Sequence, residues 1–130
     1  MLITFEGIDG SGKSTQIALL KKKLEKSGRK VNVFREPGGT EVSEQIRELL
    51  LHPQSTINPV AEMLLFSAAR SQLVQEKVLP ALNNNEIVIL DRYYDSTTAY
   101  QGYGRKVVRI DDINAINRIA SNGREPDITF

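Results

Sequence analysis

A glycine-rich segment near the N-terminus constrains the fold more than any other feature of the sequence. Residues 7–14 read Gly-Ile-Asp-Gly-Ser-Gly-Lys-Ser and match the pattern G-x-x-x-x-G-K-[ST]. The apolar run Leu2–Phe5 precedes this segment and predicts a buried strand. Ile17, Leu20 and Leu24 follow it at helical spacing. A strand, this loop and a helix in that order are the arrangement in which such a loop binds phosphate groups.

The residue types in this loop suit phosphate chemistry. Glycines allow successive backbone N–H groups to turn towards phosphate oxygens, and the N-terminus of the following helix adds partial positive charge. The Lys13 ammonium can neutralise the β- and γ-phosphates of a nucleotide, and the Ser14 hydroxyl can ligate Mg²⁺. The alternative is a glycine-rich turn that matches the pattern by chance.

Strand and helix signals alternate along the rest of the chain. Apolar runs predict further strands over residues 31–34, 87–90 and 128–130. Periodicity and capping residues predict four helices, over residues 14–26, 42–50, 58 to about 79, and 111–123, the last with Asp111 as its cap and Gly123 as its stop. Pro80 should bend or end the third of them. This order predicts an α/β fold with a parallel sheet and helices on both faces, in a single domain over residues 1–130.

Composition excludes several classes of function. The chain has 17 Lys and Arg against 16 Asp and Glu, and this net charge of +1 is too small for a general nucleic-acid-binding protein. It has no cysteine, which excludes disulfides, iron–sulfur clusters and thiolate metal sites. No apolar stretch approaches the roughly 18 residues of a membrane-spanning helix, and the first residues do not resemble a secretory signal. We therefore expect a cytoplasmic protein that binds neither nucleic acid nor membranes.

Polar clusters follow the first three predicted strands. The glycine-rich loop follows the first strand, residues 35–39 (Arg-Glu-Pro-Gly-Gly) follow the second, and Asp91 and Arg92 follow the third. Because ligands of open parallel sheets bind beyond the carboxyl ends of the strands, we expect these clusters at one edge. Asp91 after an apolar run is typical of a carboxylate near Mg²⁺, although many buried strands end in an Asp that only caps a turn.

Arg35 and Arg92 would flank the place where phosphate groups meet. A kinase whose acceptor is itself phosphorylated must bring two polyanions together, so it needs guanidinium groups beyond the lysine of the loop. The alternative is that each arginine forms an ordinary surface salt bridge.

Phe66 and Arg70 are four residues apart on the long predicted helix and share a face. A ring beside a guanidinium can hold a flat heterocycle, but a core Phe and a solvated Arg would have the same spacing. The segment from Tyr93 to Tyr103 is interpreted as polar, with no helix assigned. The lone His52, beside Pro53, is interpreted as a cap or loop residue.

Together these motifs resemble the thymidylate kinase family, which phosphorylates dTMP to dTDP with ATP. The matching segments follow the family's order along the chain: residues 5–15, 35–40, 66–70, 91–93, 99–102 and 126–129. The resemblance implies a P-loop nucleoside monophosphate kinase-like fold, ATP and dTMP as substrates, Mg²⁺ with the ATP, a role in dTTP synthesis and a homodimer. Apolar residues at 49–51 and 64–65 could form the dimer interface, although core packing would explain them equally well.

The resemblance also implies roles for individual residues. Lys13, Arg92 and Asp9 are the expected catalytic residues, with Asp9 near the acceptor sugar, and Ser14 and Asp91 belong to the metal site. The expected ATP phosphate-binding residues are Gly7, Ile8, Asp9, Gly10, Ser11, Gly12, Lys13, Ser14 and Thr15. The expected dTMP-binding residues are Arg35 and Arg92 at the phosphate, Phe66 stacked on thymine, Arg70 at its edge, and Thr97, Tyr100 and Gln101 around the base and sugar. Tyr100 has the place associated with a preference for deoxyribose.

The chain departs from the family pattern in two respects. One branch of the family has an arginine where this chain has Gly10, and the other has its catalytic basic residues in a lid, as this chain is expected to have. That lid would follow the strand that begins at Ile128, but the sequence ends at Phe130. We therefore expect the last strand and the lid to be missing, and the 130 residues alone to be nearly inactive. The alternatives are a nucleotide-binding module without turnover and a P-loop kinase for another small acceptor.

Overall fold

Four parallel β-strands lie at the centre of the described part of the chain, residues 1–54 and 56–130 of a computed structural model. They are β1 (Leu2–Phe5), β2 (Val31–Arg35), β3 (Ile87–Asp91) and β4 (Ile128–Thr129), in the order β2-β3-β1-β4. Every pair of neighbouring strands is parallel, so the chain crosses over the sheet between them. This arrangement confirms the predicted parallel α/β sheet.

Helices form the connections between these strands. Within the described residues they are α1 (Lys13–Lys26), α2 (Glu41–Leu51), α3 (Pro59–Leu73), α4 (Leu79–Asn83), α5 (Tyr94–Thr97) and α6 (Ile110–Ala120). A π-helical segment, Val74–Val78, joins α3 to α4, and another, Thr98–Gly104, continues α5. Polar caps fix two of the starts, because Thr40 Oγ1 accepts from the Ser43 N–H and the Asn58 side chain accepts from the Val60 N–H.

Apolar side chains fill both faces of the sheet. Neighbouring residues on a strand point to opposite faces, so the fully buried Val88 and Ile89 belong to different core clusters. The cluster under α3 and α4 comprises Leu2, Leu73, Val74, Val78, Ala81, Val88, Leu90 and Tyr93. The cluster under α1 comprises Ile3, Phe5, Ile17, Val31, Ile87 and Ile89. Helices therefore cover both faces, as the sequence predicts.

The helix that begins after Asn58 continues past the position predicted for its end. Instead of ending near Leu79, the helical backbone runs through Pro80 to Asn83. The turn before the proline is π-helical, and the Leu79 N–H donates to the Val74 carbonyl five residues earlier. Pro80 then lies in the first turn of α4, where the missing N–H is tolerated. The wider turn thus lets the helix continue where an α-helix would kink or break.

The tyrosine-rich segment after β3 is helical, although the sequence reading assigned no helix there. Gly102 and Gly104 argue against a helix, because glycine loses more backbone entropy than other residues on becoming helical. The structure gives Gly102 a packing reason, since a Cβ at that position would lie 2.8 Å from Ile110 Cδ1. The close approach of the segment to α6 therefore favours glycine.

The predicted cap of α6 is wrong. The helix starts at Ile110 with Arg109 in the cap position, and Asp111 lies inside the first turn. A negative charge there interacts favourably with the helix dipole, so Asp111 supports the helix start without capping it.

The carboxyl ends of the strands form one aligned edge. Phe5 is level with Asp91 on the neighbouring strand, and Asp91 is level with Arg35. The pairing extends beyond the strands, because the Arg92 N–H donates to the Phe5 carbonyl and the Glu36 N–H to the Asp91 carbonyl. The predicted polar clusters therefore meet at this edge.

In the described residues no helix has both the length and the apolar character needed to cross a membrane.

Candidate active site

The glycine-rich loop turns from β1 into α1 through backbone conformations that favour glycine. Gly7 has a φ of 136°, and Gly12, at the start of α1, has a φ of 87°. Residues with a Cβ rarely adopt such values, so these two positions explain the glycine spacing of the motif. Lys13 Nζ donates to the carbonyl oxygens of Gly7 at 3.0 Å and Ile8 at 2.8 Å. The lysine predicted to bind phosphate thus lies folded over its own loop.

Ser14 and Asp91, the two predicted metal ligands, are brought together. Ser14 Oγ in the first turn of α1 donates to Asp91 Oδ2 at the end of β3 at 3.3 Å. Mg²⁺ prefers oxygen ligands and commonly takes one or two from the protein, with phosphate oxygens and water completing the shell. Among the described residues no three His, Cys, Asp or Glu side chains cluster as a metal site. The hydroxyl and carboxylate oxygens of Ser14 and Asp91 are of the type that fits Mg²⁺ arriving with a nucleotide.

Arg92 connects the glycine-rich loop to the segment after β3. Its Nη2 donates to Asp9 Oδ1 at 2.8 Å and its Nη1 to Ser96 Oγ at 3.0 Å. The hydrogen bond from Arg92, together with its charge, lowers the pKa of the Asp9 carboxyl. Arg92 has a φ of 73°, a conformation uncommon for a residue with a side chain. Arg92 thus has an unusual backbone conformation at the strand end, and its guanidinium lies beside the loop.

Arg35 lies at the open side of the same edge. Its Nη2 donates to Glu44 Oε2 at 3.3 Å, and more than half of its side chain is exposed. The Gly39 N–H donates to the other oxygen of Glu44, and this bond is the main reason that the pKa of the Glu44 carboxyl is lowered. Arg35 therefore forms an ordinary surface salt bridge, which was the alternative to a role in phosphate binding. It also lines the cavity around the loop.

Arg70 is one of the most buried charged residues of the described chain, at 2% exposure. Its Nε donates to Glu36 Oε2 at 2.7 Å, its Nη2 to Thr97 Oγ1 at 3.0 Å and its Nη1 to Asn117 Oδ1 at 3.2 Å. The alternative of a solvated arginine is wrong. These three bonds fix the plane of the guanidinium, which also lies 5.5 Å from the ring centre of Tyr93.

Glu36 is a buried acid beside the site. Desolvation raises the pKa of its carboxyl to about 7, although the Arg70 charge opposes the rise, and the nearby Glu6 carboxyl adds to it. Its Oε1 is buried and has no hydrogen-bond partner in the described residues. Burial also raises the pKa of Glu6, which accepts bonds from the Tyr93 N–H and the Ser96 hydroxyl. The carboxyl groups of the buried Glu36 and the half-buried Glu6 thus hold residues around the cleft by hydrogen bonds.

Two neighbouring cavities lie along this edge and share four lining residues. The first, of about 450 Å³, surrounds the loop and contains Asp9, Gly10, Gly12, Lys13, Ser14, Thr15, Arg35, Glu36, Arg47, Asp91 and Arg92. The second, of about 390 Å³, contains Asp9, Glu36, Pro37, Arg47, Leu51, Glu62, Phe66, Arg70, Arg92, Tyr93, Ser96, Thr97, Tyr100, Gln101 and Arg105. We call them the loop cavity and the aromatic cavity. Gly7, Ile8 and Ser11 line a third cavity, which shares Lys13 with the loop cavity.

The cavities contain most of the residues predicted for the two substrates. The aromatic cavity holds every residue assigned to dTMP except Arg35, which lines only the loop cavity. Sequence reasoning placed Glu36 at this edge without assigning it a role, and it missed Arg47, Glu62 and Arg105. Arg47 lies within predicted α2, and its Nη1 donates to the Pro37 carbonyl at 3.0 Å. No local pattern marks the last three, because only the tertiary fold brings their segments to the cleft.

Comparison with known proteins adds independent information. A family model described as thymidylate kinase matches residues 5–130. The thymidylate kinase of Chlorobaculum parvum is 60% identical over 130 residues, which are all of this chain and 59% of that protein. The thymidylate kinase of Caldanaerobacter subterraneus subsp. tengcongensis is 51% identical over 127 residues, which are 98% of this chain and 61% of that protein.

A solved thymidylate kinase structure also matches this chain. The crystal structure of thymidylate kinase from Ehrlichia chaffeensis superposes with a TM-score of 0.91 at 43% sequence identity. The match covers 100% of this chain and 72% of that chain. Against the curated relatives, this chain spans about three fifths of their length, 59% for Chlorobaculum parvum and 60% for Chlorobaculum tepidum.

Proposed function

The chain belongs to the thymidylate kinase family, and on that premise we propose that the whole protein transfers the γ-phosphate of ATP to dTMP and forms dTDP. The observation that carries the proposal is the pair of neighbouring cavities. A phosphate loop lies at one end, a ring and a buried guanidinium lie at the other, and Asp9, Glu36, Arg47 and Arg92 line both cavities. This arrangement suits two phosphorylated ligands that meet end to end.

The loop cavity is the proposed donor site. The backbone of residues 7–15 would bind the ATP phosphates, and Lys13 would leave the carbonyls of Gly7 and Ile8 to neutralise the β- and γ-phosphates. Ser14 and Asp91 would hold Mg²⁺, which neutralises the phosphate charge when it is bound.

The aromatic cavity is the proposed acceptor site. Phe66 would stack on thymine and Arg70 would donate to its edge, while Thr97, Tyr100 and Gln101 would surround the base and sugar. Arg70 supports this role because Glu36, Thr97 and Asn117 already orient it, so binding costs little further ordering.

The junction of the two cavities is the proposed place of transfer. Arg92, with its fork of N–H donors, would bind the acceptor phosphate, and Arg35 would approach it from the loop cavity. Asp9, now paired with Arg92, would face the acceptor sugar. Phosphoryl transfer of this kind depends on positioning and on neutralised charge, so no side chain needs to act as a strong base.

We further propose that the protein is a cytoplasmic homodimer. ATP and dTMP are metabolites of the cell interior, which supports the location. Leu49, Leu51 and Leu64 are 48%, 61% and 48% exposed on neighbouring helices α2 and α3, and an apolar surface of this kind supports a contact between two copies. Light scattering on the purified protein tests the dimer, and monomeric mass at micromolar concentration would overturn it.

The decisive experiment is a phosphoryl-transfer assay on the protein expressed from its complete coding sequence. With Mg²⁺ and ATP, we expect dTMP to be preferred to AMP, GMP and CMP. Arg70→Ala should greatly reduce transfer to dTMP, since it removes the donor at the base edge. If dTMP is no better than the other monophosphates, the acceptor assignment is wrong.

A further inference from the structure

Gln101 has one end of its side-chain amide fixed. The residue is 5% exposed in the aromatic cavity, and its Nε2 donates to Glu62 Oε1 at 3.0 Å. Because a carboxylate accepts hydrogen bonds and donates none, the amide must turn its nitrogen towards Glu62. In the described residues this is the one hydrogen bond of the Gln101 side chain. The amide oxygen is therefore the polar atom that remains for a ligand.

Glu62 is itself held in place by a second partner. Its Oε2 accepts from Arg105 Nη1 at 2.8 Å, so both of its oxygens are engaged. The Glu62 side chain is 19% exposed, and that of Arg105 is 55% exposed. Glu62 also lies near the N-terminal end of α3, where the helix dipole favours a negative charge. It therefore presents a fixed acceptor to the Gln101 amide.

The oriented amide gives the cavity a defined hydrogen-bonding pattern. Arg70 can only donate, whereas the Gln101 Oε1 atom can only accept. Thymine and uracil carry an acceptor at position 4 and an N–H donor at ring position 3. Cytosine has the reverse pattern, with an amino donor at position 4 and a bare ring nitrogen. The pair of side chains thus complements the first two bases and opposes cytosine.

We propose that Glu62 is a positioning residue that selects the acceptor base by fixing the orientation of the Gln101 amide. The inference rests on the proposed function and adds to it a role for a residue whose two carboxylate oxygens both accept hydrogen bonds from protein side chains. With Glu62 in place, turning the Gln101 amide over would set two oxygens against each other. The reversed pattern that cytosine requires is therefore unfavourable.

The test is the acceptor selectivity of the Glu62→Gln variant of the whole protein. A glutamine at this position offers both a donor and an acceptor, so the Gln101 amide can adopt either orientation. We expect the ratio of kcat/KM for dTMP to that for dCMP to fall by about tenfold or more, since the part of the penalty on dCMP that comes from the fixed Gln101 amide is lost. The ratio for dTMP and dUMP should stay the same, because both bases carry the ring N–H. Glu62→Ala should also lower the ratio of kcat/KM for dTMP to that for dCMP.

Glu76→Gln is the matched control, because Glu76 also accepts a hydrogen bond from a glutamine, Gln72, but lines neither the loop cavity nor the aromatic cavity. Its dTMP to dCMP ratio should equal that of the wild type. If Glu62→Gln lowers both activities by the same factor, Glu62 is only structural and the inference is overturned. A wild-type protein that transfers nothing to dTMP overturns the proposed function instead. In that case the dissociation constants of dTMP and dCMP are measured for the same variants. Glu62 has the proposed role if Glu62→Gln changes the ratio of the two constants by about tenfold or more.

Discussion

Arg92 Nη2 lies 2.8 Å from Asp9 Oδ1, and this ion pair joins two segments that are 83 residues apart in the sequence. Both residues line both cavities of the cleft. The Arg92 guanidinium thus has a carboxylate partner at the place where we propose that the acceptor phosphate binds. Phosphate and carboxylate suit the same fork of donors, so the acceptor would exchange with Asp9 at this arginine.

Arg92→Lys should lower kcat/KM for dTMP by about 10²-fold or more, because lysine keeps the charge but loses the fork of donors. The affinity for ATP should fall less, because Lys13 and the loop backbone would still bind the donor phosphates. Steady-state kinetics and ATP titration measure the two effects. Arg118→Lys is the control, since this arginine lies in α6 and lines a different cavity. An equal loss for both variants would contradict a specific role of Arg92.

Glu36→Ala should destabilise the fold by about 3–5 kcal/mol, because it leaves the Arg70 guanidinium buried without its carboxylate. Urea unfolding measures this loss. Glu25→Ala removes an exposed carboxylate that lies 3.8 Å from Lys21, and it should cost only about 0.5 kcal/mol. Similar losses for the two variants would mean that the buried pair has no special importance.

Gly39→Ala should destabilise the protein by about 2–4 kcal/mol, because strain and overcrowding add. Gly39 has a φ of 87°, and a Cβ there would lie 2.8 Å from Leu73 Cδ1. Gly28→Ala is the matched control, since its φ is 78° and a Cβ would meet nothing within 4 Å. That variant should show the strain alone, about 1–2 kcal/mol. Thermal melting compares the two, and equal shifts would exclude the contact with Leu73.

The Asp127 carboxyl should make the stability of the fold depend on pH in the acid range. The Leu2 N–H donates to Asp127 Oδ2 and lowers the pKa of this carboxyl below 3.8, with Arg124 acting in the same direction. A lowered pKa in the folded state stabilises the protein above the unfolded pKa, and this stability is lost as the pH falls through the folded pKa. Asp127→Asn should therefore reduce the free energy of unfolding at pH 7 and have little effect near pH 2. A variant with the same deficit at both pH values would contradict the linkage.

The sequence predicts the parts of the site that depend on local pattern. The glycine-rich loop has its signature within eight positions, and the polar residues after β2 and β3 follow apolar runs that mark the strands. Because parallel strands end at the same edge, Ser14, Asp91 and Arg92 could be brought together without any coordinates.

The rest of the site depends on contacts that no local pattern reveals. Spacing places Phe66 and Arg70 on one face, but the burial of Arg70 depends on Glu36, 34 residues away, and on Asn117, 47 residues away. The π-helical segments escape prediction for a related reason. A widened turn has no composition of its own, and packing decides where it forms.

Asp9, Glu36, Arg47 and Arg92 line both cavities, whereas Phe66, Gln101 and Arg105 belong to the aromatic cavity alone. Substitutions at the latter positions can therefore alter which nucleotide is received without disturbing the machinery that supplies the phosphate. A lineage of such enzymes could exchange one acceptor for another in small steps. The four residues that line both cavities would be harder to replace, since any change there acts on both ligands at once.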